Sequence, residues 1–535
     1  MTIEELIAGL ARPEAYQPRP DQVEVRQSHI SVVFLAGPVV YKIKKPLRLS
    51  YLDYSTLERR RHFCVEEVRL NRRLAPQVYL GVVPVTRNGD SLMMEGSGEI
   101  VEWAVKMRRL ADDATLRATL DRDAVGHGLI EELGRRIAAF HAHAERGQRI
   151  ADLCRFDNVA RLVRENLCES VVHVGQTIRE RVFQRLTELT EHALEALRPE
   201  IESRLERGLP CDTHGDLRLD HVYVFPNRPP PEDVVIIDGI EFNETFRAGD
   251  PVVDMAFLVM ELVANDHREL AEVFRNAYVS ASGDFHSARL LRFYVAYRAM
   301  VRGKVNGVKA TEIEIPEADR ARAHGRAQRH WLVALGALEA PGDRPCLVLV
   351  GGLPGTGKTR LARELAAEAH FQRIRSDQVR KELAEAEGEA IGPRGFEDGI
   401  YSPEWTDRTY QTCQDRAERE LFEGRRVVVD ATFGREAWRQ SFLQLARRLG
   451  VPGILLLCEA SPSVVKSRLD ARRHDLSDAD WTVHQQAARQ WEPPGPESCR
   501  EMHRINTAGS PDPAVAGALE ILRKLELQDE PQMMS

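Results

Sequence analysis

The feature that most constrains this chain is a run of eight residues, Gly352-Leu353-Pro354-Gly355-Thr356-Gly357-Lys358-Thr359. The run fits the pattern G-x-x-x-x-G-K-[ST], with an apolar stretch at 346–350 before it and a helical pattern at 360–370 after it. Glycines let the backbone turn its N–H groups toward an anion, and the start of a helix adds partial positive charge. We therefore predict that all eight residues bind the phosphates of ATP, with Lys358 at the β- and γ-phosphates and the Thr359 hydroxyl on Mg²⁺.

The chain after residue 345 predicts a parallel sheet. Apolar stretches at 346–350, 427–429 and 454–458 alternate with helical patterns, as buried parallel strands do in α/β domains. A Pro/Gly-rich segment at 340–345 precedes them. We predict a linker at 339–345 and a P-loop kinase domain of α/β class over 346–535.

Two charged residues follow the second predicted strand of this domain. Asp377 and Arg380 resemble the D-x-x-R motif of polynucleotide kinases, zeta-toxin-like kinases and small-metabolite kinases. In that group the Asp accepts the proton of the acceptor hydroxyl, and the Arg holds the acceptor or the phosphates. The resemblance thus implies catalytic roles for Asp377, Arg380 and Lys358. The alternative is that Asp377 caps a helix beginning at Gln378.

The third predicted strand ends in Asp430, and we predict that its carboxylate binds Mg²⁺. Ala431 follows it, where motor-type ATPases place the glutamate that activates water, and this favours a kinase over a mechanical ATPase.

Arg468 and Arg472 share one helix face. They resemble the lid arginines that close over the transferring phosphate in this kinase group; a solvated basic face is the alternative.

A second pattern lies before residue 338, where strands come first and helices follow. Thr213-His214-Gly215-Asp216-Leu217 precedes an apolar strand, and Asp238 ends another strand twenty-two residues after Asp216. Phosphotransfer needs two such aspartates: one accepts the proton of a substrate hydroxyl, and the other holds Mg²⁺ on ATP.

This pattern resembles aminoglycoside phosphotransferases and their protein-kinase-like relatives. The resemblance implies a two-lobed α+β fold over 1–338, with a small lobe at about 20–110 and a helical lobe at about 111–338. The resemblance also implies roles for single residues. Asp216 would be the catalytic aspartate, Asp238 would bind the metal, Lys42 would bind the α/β-phosphates, and Glu67 would pair with that lysine. Lys44 on the same strand face and Glu66 are the alternatives.

Two departures from that family are visible. No G-x-G-x-x-G precedes Lys42, and His221, which the resemblance implies as the second metal residue beside Asp238, stands where the family usually has the metal-binding Asn. A neutral imidazole is a poorer Mg²⁺ ligand than an amide oxygen. An active kinase, a nucleotide-binding pseudokinase and a structural role therefore all stay open for this half.

Composition excludes some partners. The net charge of -8, from 74 basic and 82 acidic residues, argues against bulk nucleic-acid binding. The N-terminus has no apolar core of a signal peptide, and no apolar run approaches the length of a membrane span, so we expect no membrane partner. Eight cysteines are scattered singly, which indicates reduced thiols and a cytoplasmic location.

The order of the two halves resembles the domain order of bacterial bifunctional aminoglycoside phosphotransferase/ATP-binding proteins. Strings such as Tyr41-Lys42-Ile43-Lys44-Lys45-Pro46 and Asp430-Ala431-Thr432-Phe433 look typical of that family. We predict an ATP-dependent phosphotransferase that uses Mg²⁺ and acts on a hydroxyl of a small metabolite or of a nucleic-acid end. The alternatives are a nucleotide-dependent switch with slow ATPase activity, and antibiotic resistance, which an acidic cleft below Asp216 would favour. The sequence specifies neither the acceptor nor the oligomeric state.

Overall fold

The computed structural model describes residues 1–49, 51–388, 399–471 and 480–530. It divides into two compact units. Unit 1 comprises Met1–Leu162, Leu197–Leu262 and His267–Tyr294, and unit 2 comprises Val163–Ala196, Val263–Asp266 and Val295–Ser535. The predicted linker at 339–345 therefore lies inside unit 2. Helical segments on its N-terminal side, which the sequence grouped with the first half, belong to unit 2 as well.

The secondary structure of the described residues is as follows. The strands are β1 (Val23–Gln27), β2 (Ser31–Ala36), β3 (Val39–Lys44), β4 (Arg48–Leu49), β5 (Leu52–Asp53), β6 (Tyr79–Asn88), β7 (Ser91–Met94), β8 (Glu99–Arg108), β9 (Cys211–Asp212), β10 (Val222–Val224), β11 (Val234–Ile236), β12 (Ala248–Gly249), β13 (Leu347–Gly351), β14 (Gln372–Arg375), β15 (Val427–Asp430), β16 (Gly453–Glu459) and β17 (Met502–Asn506). The α-helices are α1 (Ile3–Leu10), α2 (Leu57–Asn71), α3 (Leu116–Leu120), α4 (His127–His143), α5 (Gln148–Leu153), α6 (Phe156–Ser170), α7 (Glu180–Glu206), α8 (Glu244–Arg247), α9 (Pro251–Ala264), α10 (Arg268–Ser282), α11 (Ala288–Thr311), α12 (Glu317–Leu338), α13 (Lys358–Glu368), α14 (Ser376–Glu387), α15 (Pro403–Phe422), α16 (Glu436–Leu449), α17 (Pro462–Asp470), α18 (Trp481–Arg489), α19 (Pro496–Arg500) and α20 (Pro511–Lys524).

Unit 1 contains a six-stranded antiparallel sheet in the order β1-β2-β3-β8-β6-β7. One face packs on α1, whose Leu6 and Leu10 join Phe34 and Ile43 in a buried core. Helix α2 covers the other face through Cys64 and neighbouring apolar residues. The side chain of Thr56 accepts a hydrogen bond from the third residue of α2, which fixes where this helix begins.

The rest of unit 1 is mainly helical and carries two short β-pairs. The hairpin β10-β11 and the pair β9-β12 hold the loops that contain Asp216 and Asp238. Helices α4 and α10 approach closely because Gly134 has no side chain: a Cβ at this position would lie 2.9 Å from the Cβ of Ala277. The predicted sequence of strands, then helices, is what unit 1 shows.

Unit 2 contains a five-stranded sheet in the order β14-β15-β13-β16-β17, and all its neighbouring strands are parallel. The parallel sheet predicted from the apolar stretches is confirmed. Strand β13 is fully buried, as expected for a central strand covered on both faces. Because the strands are parallel, the residues that follow β13, β14 and β15 all emerge at one edge of the sheet.

Specific contacts join the helical segments at 163–196 and 295–338 to the rest of unit 2. Arg185 of α7 makes two hydrogen bonds, of 2.7 and 2.8 Å, to the carboxylate of Glu339. The buried indole of Trp331 in α12 donates to the hydroxyl of Thr177 at 3.3 Å. In the part of the chain that the structure describes, no helix combines the length and the apolar character needed to cross a membrane.

Candidate functional sites

The turn between β13 and α13 has the backbone that its glycines permit. Gly352, Gly355 and Gly357 have φ angles of +136°, +85° and +94°, which other residues rarely adopt. Space is also restricted: a Cβ at Gly352 would lie 2.6 Å from the carbonyl oxygen of Cys458, and one at Gly355 would lie 2.8 Å from Val465. The glycines of the motif are therefore required by this conformation.

Hydrogen bonds hold the turn in shape. The Thr356 hydroxyl donates to the carbonyl of Leu353 at 2.8 Å, and Lys358 Nζ donates to the same carbonyl at 3.3 Å. On the outside of the turn, a ring nitrogen of His484 hydrogen-bonds the carbonyl of Pro354 at 2.8 Å. The turn ends at Gly357, the N-cap of α13, which supplies no side-chain cap for the first N–H groups of the helix. Such a helix start suits a bound phosphate.

Thr359 and Asp430, the two predicted metal residues of this site, lie together. The Thr359 side chain hydrogen-bonds Asp430, and Lys358 attracts the same carboxylate. Burial nevertheless dominates and raises the pKa of Asp430, which is 2% exposed. Among the described residues, no group donates a hydrogen bond to its Oδ2 atom. A buried carboxylate oxygen beside a threonine hydroxyl fits Mg²⁺, which prefers oxygen ligands.

Asp377 stands at the same edge of the sheet. Helix α14 begins at Ser376 with Arg375 as its N-cap, so Asp377 is in the first turn and is not the cap. Its side chain is 31% exposed. Arg375 lies between two carboxylates, 3.7 Å from Asp377 and 3.8 Å from Asp430. The sequence reasoning missed Arg375; its position as the last residue of a strand that leads to Asp377 was the available signal.

Arg380 is buried, and its guanidinium contacts the protein. It donates to the carbonyl of Ile400 at 2.6 Å and to the hydroxyl of Thr406 at 3.2 Å. Burial is the main cause that lowers the pKa of Arg380. Contact between Arg380 and an acceptor or phosphate stays a prediction.

Of the two predicted lid arginines, Arg468 lies in α17 beside the turn. Its guanidinium donates to the carbonyl of Thr507 at 2.6 Å and lies 3.5 Å from the position a Cβ would take at Gly357. The hydroxyl of Thr507 in turn donates to the carbonyl of Thr356. Arg468 therefore joins the turn to the segment after β17. Arg472 lies outside the described residues.

The predicted phosphate-binding residues of unit 1 form a second cluster. Lys42 Nζ lies 2.9 Å from Glu67 and donates to Asp238 at 2.8 Å. Burial opposes the charge on Lys42, but the two carboxylates outweigh it and hold its pKa well above the usual value. Burial likewise opposes the charge on Asp238, and Lys42 and His221 outweigh it, so that its pKa lies well below its usual range. Lys42 thus pairs with Glu67, as the resemblance implied, and also with Asp238, a contact that the sequence had not predicted.

The structure also separates the alternatives on this strand and helix. Lys44 is buried and pairs with Glu67 at 2.7 Å and with Glu241, whereas Lys42 faces Asp238. Glu66 pairs with Arg69 on the surface of α2. Lys42 and Glu67 are thus the pair that meets Asp238. Sequence reasoning missed Glu241, because nothing in its local pattern indicates a partner in β3.

The loop of Asp216 is held by buried polar groups. Asp254 accepts the backbone N–H groups of His214 and Gly215 at 2.6 and 2.9 Å, and a ring nitrogen of His141 lies 3.1 Å away. Burial opposes the charge on Asp254, but His141 and these donors keep its pKa well below the usual range. Asp254 therefore braces the loop.

His221 lies between the two aspartates of this loop region. Its ring nitrogens are 3.6 Å from carboxylate oxygens of Asp216 and Asp238, and Nδ1 also contacts the Asp216 carbonyl at 2.9 Å. Asp238 provides an oxygen ligand of the type that Mg²⁺ prefers, whereas the imidazole does not. Only Asp238 of this predicted metal pair fits the ion.

The sheet order, the glycine turn and the Thr359–Asp430 pair show that unit 2 contains a P-loop nucleotide-binding domain. Residues 347–494 match the protein-family model described as AAA domain. Over 505 residues the chain is 32% identical to uncharacterized proteins of Mycobacterium tuberculosis (strain ATCC 25618 / H37Rv) and Mycobacterium bovis, an alignment that covers 94% of this chain and 95% of each relative. The chain belongs to the same protein family as these mycobacterial proteins.

Solved structures are similar at a lower level. A gluconokinase from Sinorhizobium meliloti 1021 is 18% identical with a TM-score of 0.25, and the match covers 35% of this chain and 98% of that protein. A choline/ethanolamine kinase family protein from Mesorhizobium loti is 14% identical with a TM-score of 0.35, and the match covers 63% of this chain and 99% of that protein.

Proposed function

We propose that this protein is an ATP-dependent phosphotransferase whose P-loop domain transfers the γ-phosphoryl group of ATP to a hydroxyl of a small metabolite or a nucleic-acid end. The observation that carries the proposal is the group of side chains at one sheet edge. Lys358 and Thr359 follow β13, Asp377 follows β14, and Asp430 ends β15. Register pairs Arg375 with Asp430 across β14 and β15, which brings the two carboxylate-bearing segments side by side.

Each residue has a role that its surroundings support. Thr359 and Asp430 would hold Mg²⁺, and bound Mg·ATP supplies the phosphoryl group that is transferred. Lys358 is placed to balance the negative charge on the phosphates. Asp377 is partly exposed at the same edge of the sheet and would accept the proton of the acceptor hydroxyl. Arg375, 3.7 Å from Asp377, would orient that carboxylate.

The kinase-like half is proposed as a second nucleotide site. The assembled Lys42–Glu67–Asp238 cluster, with Asp216 nearby, supports this reading. His221 in place of an amide ligand supports the alternative, in which this half binds nucleotide without transferring phosphate and the protein acts as a switch with slow ATPase activity.

A transfer experiment separates these proposals. Radiolabelled ATP is incubated with the protein and a cell extract of metabolites and RNA, and label in each fraction is measured for wild type, Lys358→Ala and Asp216→Ala. We expect label transfer that Lys358→Ala abolishes and Asp216→Ala leaves within about twofold, since loss of a charge that stabilises the transition state costs about 10²–10³-fold. Transfer that depends on Asp216 alone would move the chemistry to unit 1. ATP hydrolysis without labelled product would support the switch.

A further inference from the structure

A second lysine–glutamate couple lies behind the predicted nucleotide site of unit 1. Lys44 is 1% exposed, and its ammonium group contacts both Glu67, at 2.7 Å, and Glu241. Glu241 also accepts a hydrogen bond of 2.7 Å from the hydroxyl of the fully buried Tyr54. Two lysines of one strand, Lys42 and Lys44, therefore share the single carboxylate of Glu67.

Glu241 lies three residues after Asp238, so this couple fastens the segment that carries Asp238. Two further bonds hold the same segment. The N–H of Asp238 donates to the hydroxyl of Tyr79 at 3.2 Å, and the N–H of Gly239 donates to Asn71 at 2.8 Å. Asp238 itself has a φ of +65°, a conformation that costs a non-glycine residue free energy and persists where surrounding contacts impose it.

The charges explain why two lysines are present. Lys42 is 15% exposed and faces Asp238, whereas Lys44 is enclosed and faces Glu241. When Lys42 serves nucleotide phosphates, its attraction for Glu67 weakens, and a buried carboxylate without a cation is costly. Lys44 stays beside Glu67 whatever occupies the site, because its other partner, Glu241, holds it there.

We propose that Glu241 is a positioning residue of the kinase-like half: through Lys44 it keeps Glu67, and thereby Lys42, in the geometry that receives nucleotide phosphates. The inference rests on the proposed nucleotide site of unit 1. It predicts that this half is assembled before nucleotide binds, with α2 held against β3 by a permanent ion pair.

The test uses the full chain with Lys358→Ala, which removes nucleotide binding by the P-loop. Glu241→Gln keeps the size of the side chain and removes its charge. Glu66→Gln is the matched control, because Glu66 is on the same helix as Glu67 but pairs with Arg69 at the surface. Calorimetric titration measures the affinity for Mg·ATP and for adenosine, which has no phosphates.

We expect Glu241→Gln to weaken Mg·ATP binding about tenfold or more, since hydrogen bonds to charged groups are strong. Adenosine affinity should stay within about twofold, because a change confined to Lys42 acts only on phosphates. A general loss of structure would weaken both ligands equally, and that result would overturn the positioning role. Tyr54→Phe, which keeps every charge of the network, should show a smaller loss in the same direction.

Hydrogen exchange gives a readout that needs no nucleotide. Amides of α2 near Glu67 should exchange faster in Glu241→Gln than in Glu66→Gln. Equal exchange in the two variants would refute the positioning role. If the Lys358→Ala protein binds no Mg·ATP, or binds it independently of Lys42, the nucleotide site proposed for unit 1 fails instead, and the exchange comparison still decides whether Glu241 positions α2.

Discussion

The two candidate sites of this protein place a lysine for phosphate binding in opposite ways. Lys358 belongs to a continuous turn of eight residues, and the bond that fixes its ammonium group within that turn goes to the carbonyl of Leu353. Lys42 is held by carboxylates from two distant segments, Glu67 in α2 and Asp238 after β11.

The difference teaches what each site requires of the rest of the fold. A local turn needs glycines and a helix start, so most of its geometry comes from backbone conformation. An ion-paired site needs three segments to be packed first, and its charges must balance because several of them are buried. Substitutions should therefore disturb activity at the P-loop and stability at the kinase-like site.

The largest effect is expected at the predicted base of the P-loop site. Asp377→Asn should lower kcat about 10²–10⁴-fold, because the acceptor hydroxyl loses its proton acceptor, with the KM for ATP within about twofold. Steady-state kinetics with the acceptor found by the transfer experiment measures both. Glu385→Gln, at an exposed position of the same helix, should leave kcat unchanged. A fall of less than tenfold in Asp377→Asn would remove Asp377 from the chemistry.

The second prediction compares the two lysines directly. Lys42→Met should destabilise unit 1 by about 3 kcal/mol, because it leaves buried carboxylates with only Lys44 as a cation. Lys358→Met should cost less, about 1.5 kcal/mol, because it removes the bond to Leu353 and the attraction on Asp430, which keeps its hydrogen bond from Thr359. Hydrogen exchange in α2 and α13, respectively, reports the local free energy of opening. Equal costs would show that the contrast between the sites is not one of stability.

The third prediction concerns the backbone of the turn. Gly352→Ala places a methyl group 2.6 Å from the carbonyl oxygen of Cys458 at a φ of +136°. The strain should cost about 1–3 kcal/mol and weaken ATP binding. Gly434→Ala is the control, since the nearest atom to its Cβ would be 3.8 Å away. Thermal unfolding and nucleotide titration of both variants check the difference; an unchanged Gly352→Ala protein would contradict the requirement for glycine.

The smallest effect concerns pH. Burial lowers the pKa of His214 although Asp254 opposes this shift. Its geometry suits the neutral ring, since Nε2 contacts the carbonyl of Ile237 at 3.0 Å and Nδ1 accepts the N–H of Asp216 at 3.3 Å. The unfolded chain then binds more protons than the folded one below about pH 6.5. The stability that His214 contributes is therefore complete above that pH and lost as the pH falls.

The measurement is the thermal midpoint at about pH 7.5 and pH 5.5 for wild type and His214→Gln. We expect the thermal midpoint of wild type to fall about 2–4 °C more than that of the variant on acidification. A loss of about 1 kcal/mol in the free energy of unfolding produces such a shift in a unit of this size. Asp254, Asp216 and His221 are the charged and titratable groups that face the ring, and they are the same in both proteins. Parallel midpoints would show that His214 does not titrate with unfolding.

Local patterns predicted much of this structure. The G-x-x-x-x-G-K-T run, the apolar strands around it and the parallel sheet follow from residues adjacent in the chain. The pairing of Lys42 with Glu67 came from a resemblance between motifs, whereas the contact of Lys42 with Asp238 came from the structure. Strand β17 was missed, because its half-buried sequence lacks the continuous apolar pattern of the central strands.

What the sequence by itself determined is the conformation of short segments. Glycines and helix caps fix the conformation of adjacent residues, so their effects can be predicted from the local sequence. What only the tertiary structure decided is which distant side chains form ion pairs. Lys44 and Glu241 are 197 residues apart, and Arg375 lies between Asp377 and Asp430 only because two parallel strands are in register. Such pairs depend on packing that brings remote segments into low-dielectric surroundings, where Coulomb attraction is strong and an unbalanced charge is costly.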